Sequence, residues 1–377
     1  MKTIILCILV LIVAVGHLSC EKQKEILYVG TYSQRESQGI YVYEFDRISS
    51  TFNLLQTKPE IANPNFLVIH PSGGFLYSVN KIIGEDGKNQ DAISSFAINQ
   101  DDGTLSLINQ IPTYGRGACH VSTDQSGRWV LVSHYTSGSL SVFPVNNDGS
   151  LGDTIQSVRF EGSSISRRQQ GPHVHSVLVS PDNKYVYVAD LGTDKVMIYV
   201  LDQNTGKLTA ASDPWGSANP GSGPRHFTFH PVNSFFYLAE ELSSSVSVFD
   251  RDKSTGALTS VQTLSSLPEG FNGHNSVADI HTDPDGNYLY VTNRGHNSLA
   301  IFSIQDNGKI ELIGHEPVRG DHPRNFMVDP KGEFLMVANQ NTDNIVLFQI
   351  DKSTGLLQYS GVTLEVPAAV CLKWHIL

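Results

Sequence analysis

Three arginines stand in polar clusters of an otherwise acidic chain. Arg225 precedes His226, Arg294 lies in Asn293-Arg-Gly-His296, and Arg324 follows His322-Pro323. Clustered guanidinium groups suit a carboxylate or phosphate, because each offers a planar fork of donors. Glu241 follows Glu240. Neighbours in a strand face opposite sides, so at most one of the pair should reach a shared site. A glutamate beside Arg225 stays ionised, and could orient that arginine or accept a proton. His175 closes a His173-Val-His175 pair. Residues i and i+2 share one face of a strand, so the pair could touch a metal. No third histidine or carboxylate sits at matching spacing, so no metal is expected, and His175 is instead a candidate acid, base or oxyanion donor. The chain has no CxxC, HExxH, EF-hand or G-x-S-x-G pattern. Gly192 and Gly295 read as turn formers, and no cofactor is implied.

These residues need elements to hold them, and the elements repeat. Residues 171–200 read as three strands: 176–179, a Pro181-Asp-Asn turn, 185–189, and 196–200. The same pattern recurs around Pro71, Gln125, Pro181, Pro231, Pro284 and Pro330, at steps of 46 to 56 residues. A second marker follows each third strand, as in Asp102-Gly-Thr-Leu and Thr255-Gly-Ala-Leu. A turn-rich, four-stranded unit of this length is the signature of a β-propeller. Six copies are complete. The start, 26–30 and 40–45, and the end, 358–364 and 369–374, are expected to join as a seventh blade. The fold class is therefore all-β, a seven-bladed β-propeller closed by N- and C-terminal strands in one composite blade.

Lettering the strands a to d outward from the channel, the strand before each marker is taken as b and the one after it as c. The start of b and the end of c then share one mouth. Six residues before the marker stand Asn65, Cys119, His175, Arg225, Ala278 and Arg324, followed by Phe66, His120, Ser176, His226, Asp279 and Asn325. Nine and ten after it stand Asn80 and Lys81, His134 and Tyr135, Asp190 and Leu191, Glu240 and Glu241, Asn293 and Arg294, and Asn339 and Gln340. Polar groups crowd this mouth, while the other carries ordinary turns. Such residues could tie one blade to the next. As a set they describe a concave site for a small polar anion, with Arg324, His226, His120, His134 and Asn339 as candidate binding residues.

The composition is 40% hydrophobic and 17% charged, which suits a large core. Residues 1–20 read as a secretory signal ending at a lipoprotein-type Cys20, after Lys2 and the apolar run 4–15. The domain boundaries follow: 1–20 as signal peptide and 25–377 as one propeller domain. Without residues 1–19 the chain has 25 basic and 37 acidic residues, a net charge of −12. That argues against a nucleic-acid surface. Any membrane contact is expected only through a lipid on Cys20, making the protein an exported lipoprotein. Cys119 and Cys371 lack framework spacing and are expected to be free.

The stretches Gly171-Pro-His-Val-His-Ser-Val, Leu191-Gly-Thr-Asp, Gly223-Pro-Arg-His-Phe, Glu241-Leu-Ser-Ser-Ser-Val, Ile280-His-Thr-Asp-Pro-Asp-Gly, Thr292-Asn-Arg-Gly-His, His322-Pro-Arg-Asn-Phe and Pro367-Ala-Ala-Val-Cys occur in order at the blade pitch. Together they resemble the seven-bladed lactonase family, over about residues 25 to 374. The family includes propeller-type 6-phosphogluconolactonases and a fungal carboxymuconate lactonising enzyme. The resemblance implies a catalytic set of His175, Arg225, Glu241 and Arg294, with Arg324 as an anion-binding residue. Glu240 stands where the family has Asn.

The expected function is hydrolysis of a sugar (aldono)lactone, 6-phosphogluconolactone being the example. The reaction would be metal-independent, with Glu241 or His175 activating water and arginines holding the anionic substrate. The expected partner is a small lactone or sugar acid, and the sequence sets no oligomeric state. Two other readings remain open at this stage: a non-catalytic ligand-binding or scaffold propeller, and a muconate-type cycloisomerase. Fold alone does not license an enzyme.

Overall fold

Alternating β-branched runs separated by Gly-, Asn- and Asp-rich turns fold into twenty-eight strands, β1 to β28 in chain order. The computed structural model describes residues 23–84 and 86–377, so the signal segment and Cys20 lie outside the described residues. The strands form seven antiparallel sheets of four. Each marker turn is built by its first residue. Asp124, Asp283 and Asp329 accept the backbone N–H of Trp129, Tyr288 and Phe334 through a carboxylate oxygen at 2.9, 2.7 and 2.7 Å, and Ser180 does the same for Tyr185 with its hydroxyl at 3.0 Å. Asn183 then takes a φ of 57°, a left-handed conformation asparagine tolerates.

The innermost strands are β4 (Ala62–Ile69), β8 (Ala118–Thr123), β12 (Val174–Val179), β16 (Pro224–Phe229), β20 (Ser276–Thr282), β24 (Pro323–Val328) and β28 (Ala369–Ile376). Each touches the next around the central axis. The strand before each marker is therefore a, not b. A repeat has the same period wherever its start is drawn, so spacing could not fix this offset. The two ends assigned to one mouth are unaffected.

Closure also differs from the expectation. The composite sheet runs β28, β1 (Glu25–Thr31), β2 (Ile40–Asp46), β3 (Thr51–Lys58) from the axis outward. Only one strand comes from the C-terminal end. Residues 358–364 belong to β27 (Leu357–Glu365), the outer strand of the sixth blade. Strand β28 pairs with β1 from Glu25↔Ile376 to Thr31↔Ala369. This seam buries Leu27, Val29, Leu372 and Trp374 against Phe334 and Met336 of the neighbouring blade. Full burial of such side chains contributes roughly 1.5–3 kcal/mol each.

Between blades, one tyrosine hydroxyl recurs as a staple. Tyr28, Tyr77, Tyr187, Tyr237 and Tyr290 donate to the carbonyls of Gly103, Gly149, Gly256, Gly308 and Gly355, the glycines of the second marker in the following blade. Each bond ties the second strand of one blade to the turn before the outer strand of the next.

Candidate active site

The ring carries a bulge at the same place in every blade. In β12, Val174 pairs with Asp190 and Ser176 with Ala189, leaving His175 as the extra residue. Cys119 and Arg324 are extra in β8 and β24 in the same way. The register also slips across Arg225 and His226 in β16, and across Ala278 and Asp279 in β20. A bulge bends a strand and re-aims its side chains. Arg225 and His226 can therefore both turn inward, although neighbours in a regular strand diverge.

The bulges open onto a cavity of about 370 Å³, lined by Asn65, Lys81, Cys119, Tyr135, Arg168, His175, Glu241, Arg294 and Arg324 among others. A narrow extension beneath it, about 10 Å³, is lined by His175, Arg225, His226 and Arg324. That is about the room one water molecule needs.

Glu241 is the electrostatic centre. Its Oε2 accepts from Arg225 Nε at 2.9 Å and lies 3.1 Å from Arg294 Nη2, while Oε1 accepts from Arg168 Nη1 at 2.7 Å. Burial alone would raise its pKa, but Arg294, Arg225 and Arg168 outweigh that and hold it at about 2. Arg225 is 1% exposed and also donates to the Ala278 carbonyl. Burial and the neighbouring Arg294 and Arg324 pull its pKa down to about 9, so it stays charged at neutral pH. Arg294 is fixed by the Ser276 and Val277 carbonyls at 3.3 and 2.9 Å. Arg324 packs over Tyr32 at 5.3 Å, and no carboxylate pairs with it among the described residues.

His175 is 5% exposed, with Nε2 4.0 Å from Glu241 Oε2 and Nδ1 unpartnered. Burial, then Arg225, His226, Arg324 and Arg294, pushes its pKa well below the usual imidazole range. The ring is neutral at physiological pH. The Cys119 thiol is pushed up to about 11, chiefly by burial, so it is no thiolate nucleophile at neutral pH. His173 points elsewhere: its Nδ1 meets the Tyr135 carbonyl at 2.9 Å and its ring stacks on Tyr135.

The structure brings His175, Arg225, Glu241, Arg294 and Arg324 together, with His226 in the narrow extension. It separates the rest. His134 and Asn339, expected at the mouth, do not line the cavity. His134 Nδ1 contacts the Ser139 carbonyl at 3.3 Å, and Asn339 Nδ2 donates to the Val318 carbonyl at 3.0 Å. Both are the ninth residue after the marker. Strand alternation turns that position toward the loops between blades, while the tenth, as in Lys81, Tyr135, Glu241 and Arg294, faces the cavity. The Glu240-Glu241 pair divides by the same rule, Glu240 bonding Ser245 and Ser247. His120 sits lower in the channel, its ring 4.2 Å from Phe66 and 5.4 Å from His226, outside the cavity lining.

Arg168 has no counterpart in the repeat, and position-matching misses it. It lies in the loop before β12, pinned by Gln169, whose Nε2 donates to the Leu191 carbonyl and Asp194 at 2.8 and 2.7 Å. Arg168 also donates to the Tyr135 hydroxyl at 3.0 Å. The available signals were the longest inter-marker step and an Arg167-Arg168 pair within it.

Comparison with known proteins agrees with this architecture. The family model of the seven-bladed β-propeller lactonases matches residues 26–374. A 6-phosphogluconolactonase of Bacillus subtilis is 35% identical, covering 93% of this chain and 98% of the relative. A 6-phosphogluconolactonase of Formosa agariphila is 39% identical, covering 80% and 86%. Among solved structures, a periplasmic gluconolactonase of Pseudomonas aeruginosa superposes with a TM-score of 0.86 at 34% identity, covering 93% of this chain and 99% of that one. Blade count and similarity agree: the chain belongs to the lactonase family of seven-bladed β-propellers.

Proposed function

We propose that the cavity hydrolyses an anionic aldonolactone, with 6-phosphogluconolactone as the leading substrate. One observation carries this reading beyond the family: the charge facing the cavity. Lys81, Arg168, Arg225, Arg294 and Arg324 stand against Asp91 and Glu241, leaving three positive charges in excess. A partly enclosed site of that balance favours a substrate carrying phosphate or carboxylate. The names of the relatives point the same way.

Lactone opening needs a water made nucleophilic and a stabilised oxyanion. Of the two candidate bases, the geometry favours His175. The Glu241 carboxylate is occupied by three guanidinium groups, which hold its proton affinity very low. His175 is neutral, and a bound anion would offset the arginine field that depresses it. In this reading His175 takes the proton from water as oxygen attacks the carbonyl carbon, and Arg225 or Arg294 receives the developing oxyanion. The ring C–O bond then breaks, and His175 returns the proton to the leaving alkoxide. Glu241 gathers the arginines, and Arg324 holds the anionic group. The reading invokes no metal: five cations face the cavity and disfavour one, and Glu241 is already engaged by three guanidinium groups.

The test is turnover of 6-phosphogluconolactone and δ-gluconolactone in weak buffer, followed by proton release above spontaneous opening, with and without chelator. Arg324→Ala should raise KM for the phosphorylated lactone about 10-fold or more, in line with a lost charge-assisted contact. His175→Ala should lower kcat. Failure of the wild type on both lactones sinks the reading. Export with a lipid on Cys20 is part of the same proposal and predicts palmitate labelling that Cys20→Ala abolishes. An exported enzyme would meet lactones found outside the cytoplasm, which is why the unphosphorylated substrate is included.

A further inference from the structure

Beneath the arginine cluster a buried carboxylate joins two histidines. Asp279, on β20, is 2% exposed. Its Oδ1 lies 2.7 Å from His226 Nδ1, and its Oδ2 lies 3.1 Å from His281 Nε2. Oδ2 also accepts from Asn325 Nδ2 and from the Phe326 N–H, the latter at 3.3 Å. The Asn325 side chain cannot turn over, because its Oδ1 accepts the Leu372 N–H at 2.7 Å. The Oδ2 end is therefore committed to being an acceptor.

An ionised Asp279 has only lone pairs to offer, so the proton of the His226 ring must sit on Nδ1. The desolvated Asp279 is held well below the usual carboxylate range by His281 and His226. The other ring nitrogen, Nε2, then carries a lone pair. It has no hydrogen-bond partner among the described residues, on a side chain that lines the narrow extension of the cavity. The rest of the site is rich in donors: Lys81, Arg168, Arg225, Arg294 and Arg324 can only donate. A polyhydroxylated ring brings its own donors and needs acceptors in return. The extension has room for one oxygen atom.

We infer that Asp279 is a positioning residue that locks His226 in the Nδ1–H tautomer, so that Nε2 accepts a hydrogen bond from a ring hydroxyl of the substrate and selects sugar lactones over unadorned ones. This rests on the lactonase reading above and adds the recognition of hydroxyls to that of the anion. His281 and Asn325 serve by keeping Asp279 from rotating.

The decisive variant is Asp279→Asn. The three donors around Oδ2 force the amide oxygen to stay there, so the amide nitrogen faces His226 Nδ1. The imidazole Nδ1 of His226 must then accept from that NH₂, and the ring proton moves to Nε2. An acceptor becomes a donor with almost no change of shape. Nitrogen-15 NMR of the histidine rings in the whole protein should show His226 as Nδ1–H in wild type and Nε2–H in Asp279→Asn. For δ-gluconolactone kcat/KM should fall between about 10- and 100-fold, the scale of a mispaired buried polar group, while δ-valerolactone, which has no hydroxyls, changes less than about 2-fold. If Asp279→Asn does not fold, His226→Asn can keep the bond to Asp279 through its amide nitrogen, delete the acceptor and collapse the same selectivity.

An Nε2–H or doubly protonated His226 in wild type overturns the inference. So does an equal loss on both lactones, which would mark a merely structural role. A wild type that opens neither lactone overturns the lactonase reading instead. The tautomer is still read without turnover, and gluconate should then shift the His226 Nε2 resonance; no shift overturns the recognition of hydroxyls as well.

Discussion

Replacing Glu241 by Gln keeps its shape and removes one charge from the middle of the site. The amide has one acceptor oxygen. Two buried arginines meet Oε2 and the half-exposed Arg168 meets Oε1, so the oxygen should stay with Arg225 and Arg294. The NH₂ then faces Arg168, which must swing toward solvent. The stability cost follows from linkage. The folded carboxyl sits at about 2 against an ordinary value of 4.5. A depressed acid stabilises the fold above its unfolded pKa and loses that contribution as pH falls through its folded one. Glu241 therefore contributes on the order of 3 kcal/mol near neutral pH, fading between about pH 4.5 and about pH 2. Denaturant unfolding of wild type and Glu241→Gln should show this gap at about pH 7 and a smaller one at about pH 3. In the activity assay kcat should fall while KM for the anionic lactone holds or drops, since the site becomes more positive. Equal stabilities near neutrality, or a gap that does not narrow in acid, would refute the account of a carboxylate held down by three guanidinium groups.

Three further outcomes follow from the same geometry. Because His175 is already unprotonated in the free site, kcat/KM should be flat from about pH 6 to about pH 8, and the acid limb of kcat should lie higher than that of kcat/KM once an anion offsets the arginines. A free-enzyme limb at the ordinary imidazole value would contradict this. Arg168→Ala should change stability by less than about 1 kcal/mol, as half-exposed pairs do, yet raise KM for the phosphorylated lactone several-fold. Tyr290→Phe leaves the Gly355 carbonyl unpaired between blades and should lower stability by about 1–3 kcal/mol without altering KM, measured by denaturation and kinetics side by side.

What was legible in the sequence was whatever repeats. The Pro-Asp-Gly turns and the fifty-residue pitch fixed strand number, blade number and a composite seventh blade, because the same local physics writes the same signature six times. The strand-end alignment also brought His175, Arg225, Glu241, Arg294 and Arg324 to one mouth, since those positions are polar where strand interiors are not. Position type did not separate His134 from Tyr135, or Asn339 from its neighbours. Both members of each pair sit at a strand end, and only the pleat decides which faces the channel. Nor did a periodic pattern reveal that the innermost strand precedes the marker, that one terminal strand and not two closes the ring, or that Arg168 reaches Glu241 from an insertion with no repeat counterpart.

By itself, then, the sequence determined the propeller, the polar mouth and its excess of guanidinium groups, all local or periodic properties. Tertiary structure alone decided the rest. Glu241 is engaged by arginines from β16, from the end of the strand after β20, and from the loop before β12, which holds its proton affinity low. Asp279 reaches His226 only because a bulge turns consecutive residues of neighbouring blades into the same channel. Proton affinity and tautomer are set by groups distant in the chain and adjacent in space, so no reading along the chain could contain them.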